Sequence, residues 1–213
     1  MLNRNEILRY MGVPTNNDTL EVLIDRAEKE VIAASRPKHV SRHIDIAVDL
    51  DKGTVNLAGT NITSNDLAAH LNGCCEGFLL ACTLGVGVDS LVKRYSLTEL
   101  HMLPVIQAVA AAYTEYCTDD AQKEIEMYAL QRGLYLRPRY SPGYGDFQLN
   151  CQRFLFDALQ VPKNIGVSLT DSFLMVPFKS VTAVIGLSGD PARCHINKCM
   201  TCTAKNCPFR KEE

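Results

Sequence analysis

A strong charge of either sign is missing from this sequence. Among 213 residues, 22 Lys and Arg stand against 24 Asp and Glu, for a formal net charge of −2. That excludes the broad basic field with which a protein gathers nucleic acid by charge alone. A membrane-length apolar run is missing too. The longest mostly apolar stretch, MLPVIQAVAAAY (102–113), falls short of the roughly 20 residues that a spanning helix needs, and it contains Gln107. The N-terminal MLNRNEILRYMGVP carries charges throughout and lacks the apolar region of a secretion signal. The expectation is a cytoplasmic protein with no membrane and no nucleic-acid partner. Internal repeats and low-complexity linkers are also absent. The length suffices for one large domain or two small ones with a hydrophobic core.

Cysteine is plentiful. Nine residues are an odd number, so complete pairing within the chain is impossible, and without a secretion signal a disulfide framework is not expected. Cys74, Cys75, Cys82, Cys117 and Cys151 are scattered and read as small core residues. Cys194, Cys199, Cys202 and Cys207 crowd the last 20 residues, at spacings x4, x2 and x4, with Pro208 after the last. Four thiols this close can wrap one metal centre, and thiolates are soft ligands for zinc or an iron–sulfur cluster. The x2 spacing suits both. Lys198, Lys205, Arg210 and Lys211 flank the thiols and would offset the charge of such a centre, and His195 could replace one sulfur. The alternative is a tail of unliganded thiols or disulfides.

Periodicity outlines the rest. Residues 18–34 read as a helix capped by Asp18, with Glu21 completing a capping box. HIDIAVDL (43–50) alternates strictly, with Ile44, Ile46, Val48 and Leu50 on one face, and DKG then turns it into a second strand. Ser64 caps a helix through Leu71. GFLLACTLG reads as a buried strand and VDSLVKRY as a helix. Gly85 and Gly87 permit close backbone approach there, because TLGVG lacks both the third glycine of a dinucleotide loop and the lysine of a P-loop. Residues 99–132 are helical with a break near Pro104, and Gly133 ends them. Asp146 caps a further helix carrying Phe147, Cys151, Phe154 and Leu155. FLMVP and SVTAVIGL read as strands. This irregular order predicts an α+β fold with a mostly antiparallel sheet.

The octapeptide RYSPGYGD (139–146) is too broken for a helix or a central strand. Pro142, Gly143 and Gly145 allow a shaped loop that exposes its amides. Arg139 can grip a carboxylate with two hydrogen bonds, and Tyr140 and Tyr144 can lie against a purine or a sulfonium. A ligand with a carboxylate, a purine and a positive centre describes S-adenosylmethionine. Taken alone, the loop reads first as a helix-to-helix connection with a tyrosine packed for stability.

RYSPGYGD resembles the Arg-x-x-Pro-Gly-Tyr motif of the activation (reactivation) domain of cobalamin-dependent methionine synthase. VSLTDSFLMVPFKSVTAVIGL (167–187) is similar to that family's Leu-Thr-(Glu/Asp)-Ser-Phe-x-Met-x-Pro segment and the strand after it. ACTLG and the Ala-rich helix with Glu115 extend the likeness upstream. The resemblance implies that S-adenosylmethionine is bound through Arg139, Pro142, Gly143 and Tyr144, with Glu115 as a partner for the amino group. It implies reductive methylation of cob(II)alamin carried by a partner corrinoid protein or methyltransferase, with an electron from a flavodoxin-type donor or a ferredoxin. The cobalamin motif Asp-x-His-x-x-Gly is not in this chain, and the length leaves no room for homocysteine and folate domains. The expectation is therefore a stand-alone reactivation subunit, not a complete synthase. A ligand-binding tyrosine of the family falls here about where Arg193 and Cys194 open the cysteine tail. That departure favours a second reading, a non-catalytic module that binds a corrinoid protein and carries a structural zinc. A third is a relative that binds another nucleotide. Residues 1–64 are expected to form a helix and hairpin region, 65–190 the ligand-binding region, and 191–213 the metal-binding tail.

Overall fold

The computed structural model describes residues 2–15, 17–191 and 194. Its centre is a six-stranded sheet in which every pairing is antiparallel. The strand order is β3 (Thr60–Thr63), β2 (Thr54–Leu57), β1 (Lys38–Asp49), β4 (Glu76–Thr83), β8 (Ser180–Ser188) and β5 (Tyr135–Leu136). A separate ribbon pairs β6 (Ser168–Leu169) with β7 (Met175–Val176). The sheet takes strands from both sides of residue 64. The α+β expectation holds, and so does the hairpin after residue 50.

Alternation places the two faces of the sheet. Ile44, Ile46, Leu79, Ala81 and Val184 face helices α3 (Asn65–Leu71), α6 (Gln152–Leu159) and α7 (Val161–Ile165). Phe78, Leu80, Ile185 and Leu187 face the second half of α5 (Leu103–Gln131) through Ala121, Ile125 and Ala129. Leu50, expected with the buried set, lies just past β1 and is half exposed, because the turn begins there.

A second core is helical. It joins the first half of α5 to α1 (Arg4–Met11), α2 (Asp18–Ala34) and α4 (Val86–Thr98). Helix α5 therefore belongs to both cores. At 1.5 Å per residue its 29 residues reach about 43 Å. Pro104 does not break this helix. It sits in the first turn, where a missing N–H leaves nothing unsatisfied, after a short 3-10 turn at Leu100–Met102. Close backbones join the layers, as the glycines suggested: a Cβ on Gly87 would collide with the carbonyl oxygen of Ala34.

Two expected caps are displaced. Asn17, not Asp18, caps α2, its side chain accepting from the Leu20 amide at 2.9 Å. The amide that needs a partner is three residues on, so the cap belongs one position earlier. Glu21 instead accepts from Arg4 Nε at 2.7 Å. Asp146 does not cap the helix that follows it, since α6 begins only at Gln152 after a 3-10 turn. Among the scattered cysteines, Cys74 and Cys82 are buried as expected, Cys117 and Cys151 are partly so, and Cys75 is exposed.

Candidate functional site

The two cores meet at the middle of α5, and there the helix turns polar. Glu115, Asp119 and Gln122 lie at i, i+4 and i+7, one face of the helix. All three accept from Arg139, which enters from the loop. Nη2 donates to Glu115 Oε2 at 2.8 Å, and Nη1 donates to Asp119 Oδ1 at 2.7 Å and to Gln122 Oε1 at 3.1 Å. Burial alone would ease the proton off this guanidinium. Asp119 and Glu115 outweigh that and hold it above its ordinary value.

The loop is held in shape by its own backbone and by a helix end. Tyr140 forms a two-way bridge with Val184, N to O at 2.9 Å and O to N at 2.8 Å. The Gly143 amide donates to Phe147 O at 2.7 Å and the Phe147 amide to Tyr144 O at 3.0 Å. Phe147 is fully buried beneath. Asp146 reaches back to the N-terminus of α3. Its carboxylate accepts from the Ser64 hydroxyl, from the Asn65 amide at 2.8 Å and from the Asp66 amide at 3.1 Å. Asp66 returns the bond, accepting from the Asp146 amide at 3.0 Å. Ser64 itself caps α3 as expected, accepting from the Leu67 amide at 3.0 Å. The hydrogen bonds from Ser64, then those from the two amides, hold the Asp146 carboxyl below its ordinary value. Gly145 has φ +52°, and a Cβ there would run into the Asp66 carboxylate and come within 2.9 Å of the Tyr140 hydroxyl.

Loop and helix enclose an open cleft of about 200 Å³. Glu115, Arg139, Pro142 and Tyr144 line it, together with Met175 of β7 and Thr182 of β8. Four of the five ligand residues expected from the sequence thus line this cleft. Gly143 belongs to the same turn and shapes it with φ +97°. Burial, then the Glu115 charge, raise the Tyr144 phenol above its ordinary value, though about half of the side chain remains exposed. Its ring meets Tyr140 edge-on at 5.9 Å. Sequence reading missed Asp119, Gln122 and Tyr10. The first two were legible as the helical face that Glu115 starts. Tyr10 comes from α1 and had no local signal. Burial, and after it the charge of Glu115, push its phenol up to about 12.

A neighbouring hollow of about 270 Å³ holds His39, Cys82, Tyr113, Cys117 and Asp120. Burial raises both thiols, Cys117 to about 11, so they stay protonated and are poor nucleophiles. It offers no guanidinium to orient an anion. The cleft at Arg139 is the better candidate.

Of the expected metal ligands, Cys194 is buried and its thiol faces the Asp190 carbonyl at 3.3 Å. Cys199, Cys202 and Cys207 lie outside the described residues. No helix of the described residues is long and apolar enough to cross a membrane.

An antiparallel α+β domain with an arginine–carboxylate cleft beside a glycine-shaped loop defines the class of this molecule. The model of the family "Vitamin B12 dependent methionine synthase, activation domain" matches residues 76–206, more than half of the chain, and the chain belongs to that family. The match takes in the loop, the cleft and three of the four tail cysteines. Among solved structures, the fold is similar to a crystal structure of the MetH reactivation domain bound to AdoHcy, with a TM-score of 0.62 at 14% identity, over 84% of this chain and 67% of that one.

Proposed function

We propose that the chain acts in reactivation, binding S-adenosylmethionine in the cleft at Arg139 in the service of a cobalamin-dependent methyltransferase. One observation carries the reading. Arg139 and Glu115 set a fixed cation and a fixed anion side by side at the mouth of one cleft. The amino-acid end of S-adenosylmethionine presents a carboxylate and an ammonium at the same spacing scale. Arg139 takes the carboxylate through its fork, and Glu115, with Asp119, takes the ammonium. Tyr144, half exposed in the lining of the same cleft, offers a ring face to the sulfonium or the purine. Pro142 and Gly143 hold the turn that brings Tyr144 there. The cleft is smaller than the roughly 300 Å³ at which sites begin to enclose a small molecule. The ligand is therefore held from one side, and its methyl end stays open to a partner.

Bound there, S-adenosylmethionine supplies the methyl group that reduced cobalamin on the partner accepts, and this chain contributes positioning rather than acid–base groups. Leu174, Val176 and Phe178 support the docking of such a partner. They are large, apolar and exposed on and to either side of β7, whose Met175 lines the cleft. The electron reaches the partner from a flavodoxin or ferredoxin, or from a zinc-free, iron–sulfur form of the tail centre on Cys194, Cys199, Cys202 and Cys207. A zinc there would be structural. The setting is the cytoplasm.

The test is titration calorimetry with S-adenosylmethionine and S-adenosylhomocysteine, followed by anaerobic methylation of a cob(II)alamin-loaded methyltransferase. The wild-type chain binds both ligands and is required for methylcobalamin formation. Arg139→Gln weakens binding about tenfold or more, a loss of about 1.4 kcal/mol or more. Undiminished affinity in that variant would remove the cleft from the proposal.

A further inference from the structure

The cleft at Arg139 has a second end. Ser180 to Thr182 form an outer margin of β8 beyond the reach of β5, which pairs only with Leu187 and Ser188. The bridge from Tyr140 closes at Val184. The cleft therefore lies along an open sheet edge, and both faces of the sheet contribute to it. Glu115 comes from α5 on one face. Gln152 opens α6 on the other face and lines the same cleft. Thr182 joins Gln152 on that face, because it stands two residues from Val184, which shares a core with Leu155 and Phe156 of α6.

Gln152 is 3% exposed. Among the described residues its side-chain amide has no hydrogen-bond partner. The amide is not sealed off either, and the cleft is the opening that it lines. A buried primary amide costs free energy unless its donor and its acceptor are both used. The other buried residues of α6, Leu155, Phe156 and Leu159, offer it neither. At the far end of the cleft the charged groups are engaged with one another, Arg139 with Glu115 and Asp119. The α6 end is different in kind. It is neutral, and it presents a flat pair in which Oε1 accepts and Nε2 donates. A carboxylate or an ammonium calls for a charge. A heteroaromatic edge with an amino group beside a ring nitrogen calls for this pair. Adenine has that edge, and amide side chains read it with two parallel hydrogen bonds.

We propose that Gln152 reads the base of the bound ligand, its Oε1 accepting from the 6-amino group of adenine and its Nε2 donating to the adjacent ring nitrogen. The inference rests on the reading of the cleft as an S-adenosylmethionine site and adds its specificity for the base. The ligand crosses the open edge of β8, with its amino-acid end at the α5 face and its base at the α6 face. Tyr144 is left to a ring face, and Gln152 takes the ring edge. A purine without the amino group leaves Oε1 unpaired in a buried place and is rejected for that reason.

Calorimetry on the full chain compares S-adenosylhomocysteine with its analogue in which hydrogen replaces the 6-amino group. The wild-type chain binds the analogue about tenfold less tightly or worse. In Gln152→Met, close in volume and without an amide, that preference collapses toward equality, and thermal unfolding checks that the variant is folded. Equal wild-type affinity for the two ligands, or a preference that survives in folded Gln152→Met, overturns the proposal. In either case a loss of S-adenosylhomocysteine binding in Arg139→Gln leaves the reading of the cleft standing. A wild-type chain that binds neither ligand overturns both. The unsubstituted protein gives a readout that needs no variant. On binding S-adenosylhomocysteine, the side-chain amide protons of Gln152 shift downfield in the NMR spectrum, and unmoved signals in the saturated protein overturn the proposal.

Discussion

Asp146 and Ser64, 82 residues apart, are hydrogen-bonded side chain to side chain. Through that contact the 139–146 loop is fastened to the start of a helix. Asp146→Ala should lower stability by about 1 kcal/mol, the usual scale for a lost helix cap. Urea unfolding followed by circular dichroism measures it. The contribution is also pH-dependent. Because the folded carboxyl titrates below its ordinary value, its stabilisation is present above the unfolded value of about 3.9 and is lost as pH falls through the lower folded value. The gap between wild type and Asp146→Ala should therefore be full at neutral pH and shrink below about pH 4.

Gly145 tests the shape of the loop. Gly145→Ala places a methyl group against the Asp66 carboxylate in a left-handed conformation. The backbone strain alone is about 1–2 kcal/mol. Thermal unfolding should show that loss, and calorimetry should show weaker S-adenosylmethionine binding, because Pro142 to Tyr144 shift with the loop.

Phe147 tests its foundation. The side chain is fully buried and belongs to the core under the sheet, with Tyr140 stacked on it at 6.3 Å. Phe147→Ala should cost about 3–5 kcal/mol, read from the denaturation midpoint.

Glu115 tests the charge match. Glu115→Gln keeps the size of the side chain and an acceptor for Arg139 but removes the anion. The expected outcome is weaker binding of S-adenosylmethionine with little change for an analogue that lacks the α-amino group. Calorimetry with both ligands separates loss of the ammonium contact from general damage.

Phe178 tests the docking edge. Phe178→Asp should leave S-adenosylmethionine affinity unchanged and reduce methylation of the cobalamin partner, the rate falling with the apparent affinity for that partner. Equal loss of both would place Phe178 inside the ligand cleft instead.

Much of this molecule was legible before any coordinates. The alternation Ile44, Ile46, Val48 gives the half-buried strand, and the apolar run through Leu79 and Leu80 gives the central one. Patterns of period 2 and 3.6 record burial directly. The caps slipped because Asn17, Asp18 and Asp146 are all good caps, and which amide each reaches depends on a helix start that composition leaves open by a residue or more. Arg139 was visible as a loop cation, but its three acceptors were not assigned to it. The contact joins a loop to a helix about 20 residues upstream, and only folding sets that distance. Tyr10 was illegible for the same reason, since α1 and α5 are far apart in sequence.

Helix α5 is a beam supported at both ends, by the helical core on one side and the sheet on the other, with its acidic residues at mid-span. Neither Glu115 nor Asp119 can drift without one of those supports giving way. Across the cleft, the wall that carries Tyr144 is only a looped strap, tied down at Asp146 and Tyr140. One side of the cleft is a fixed ruler and the other an adjustable jaw. The carboxylates that hold Arg139 stay where the beam puts them, and any adjustment of the cleft falls to the strap.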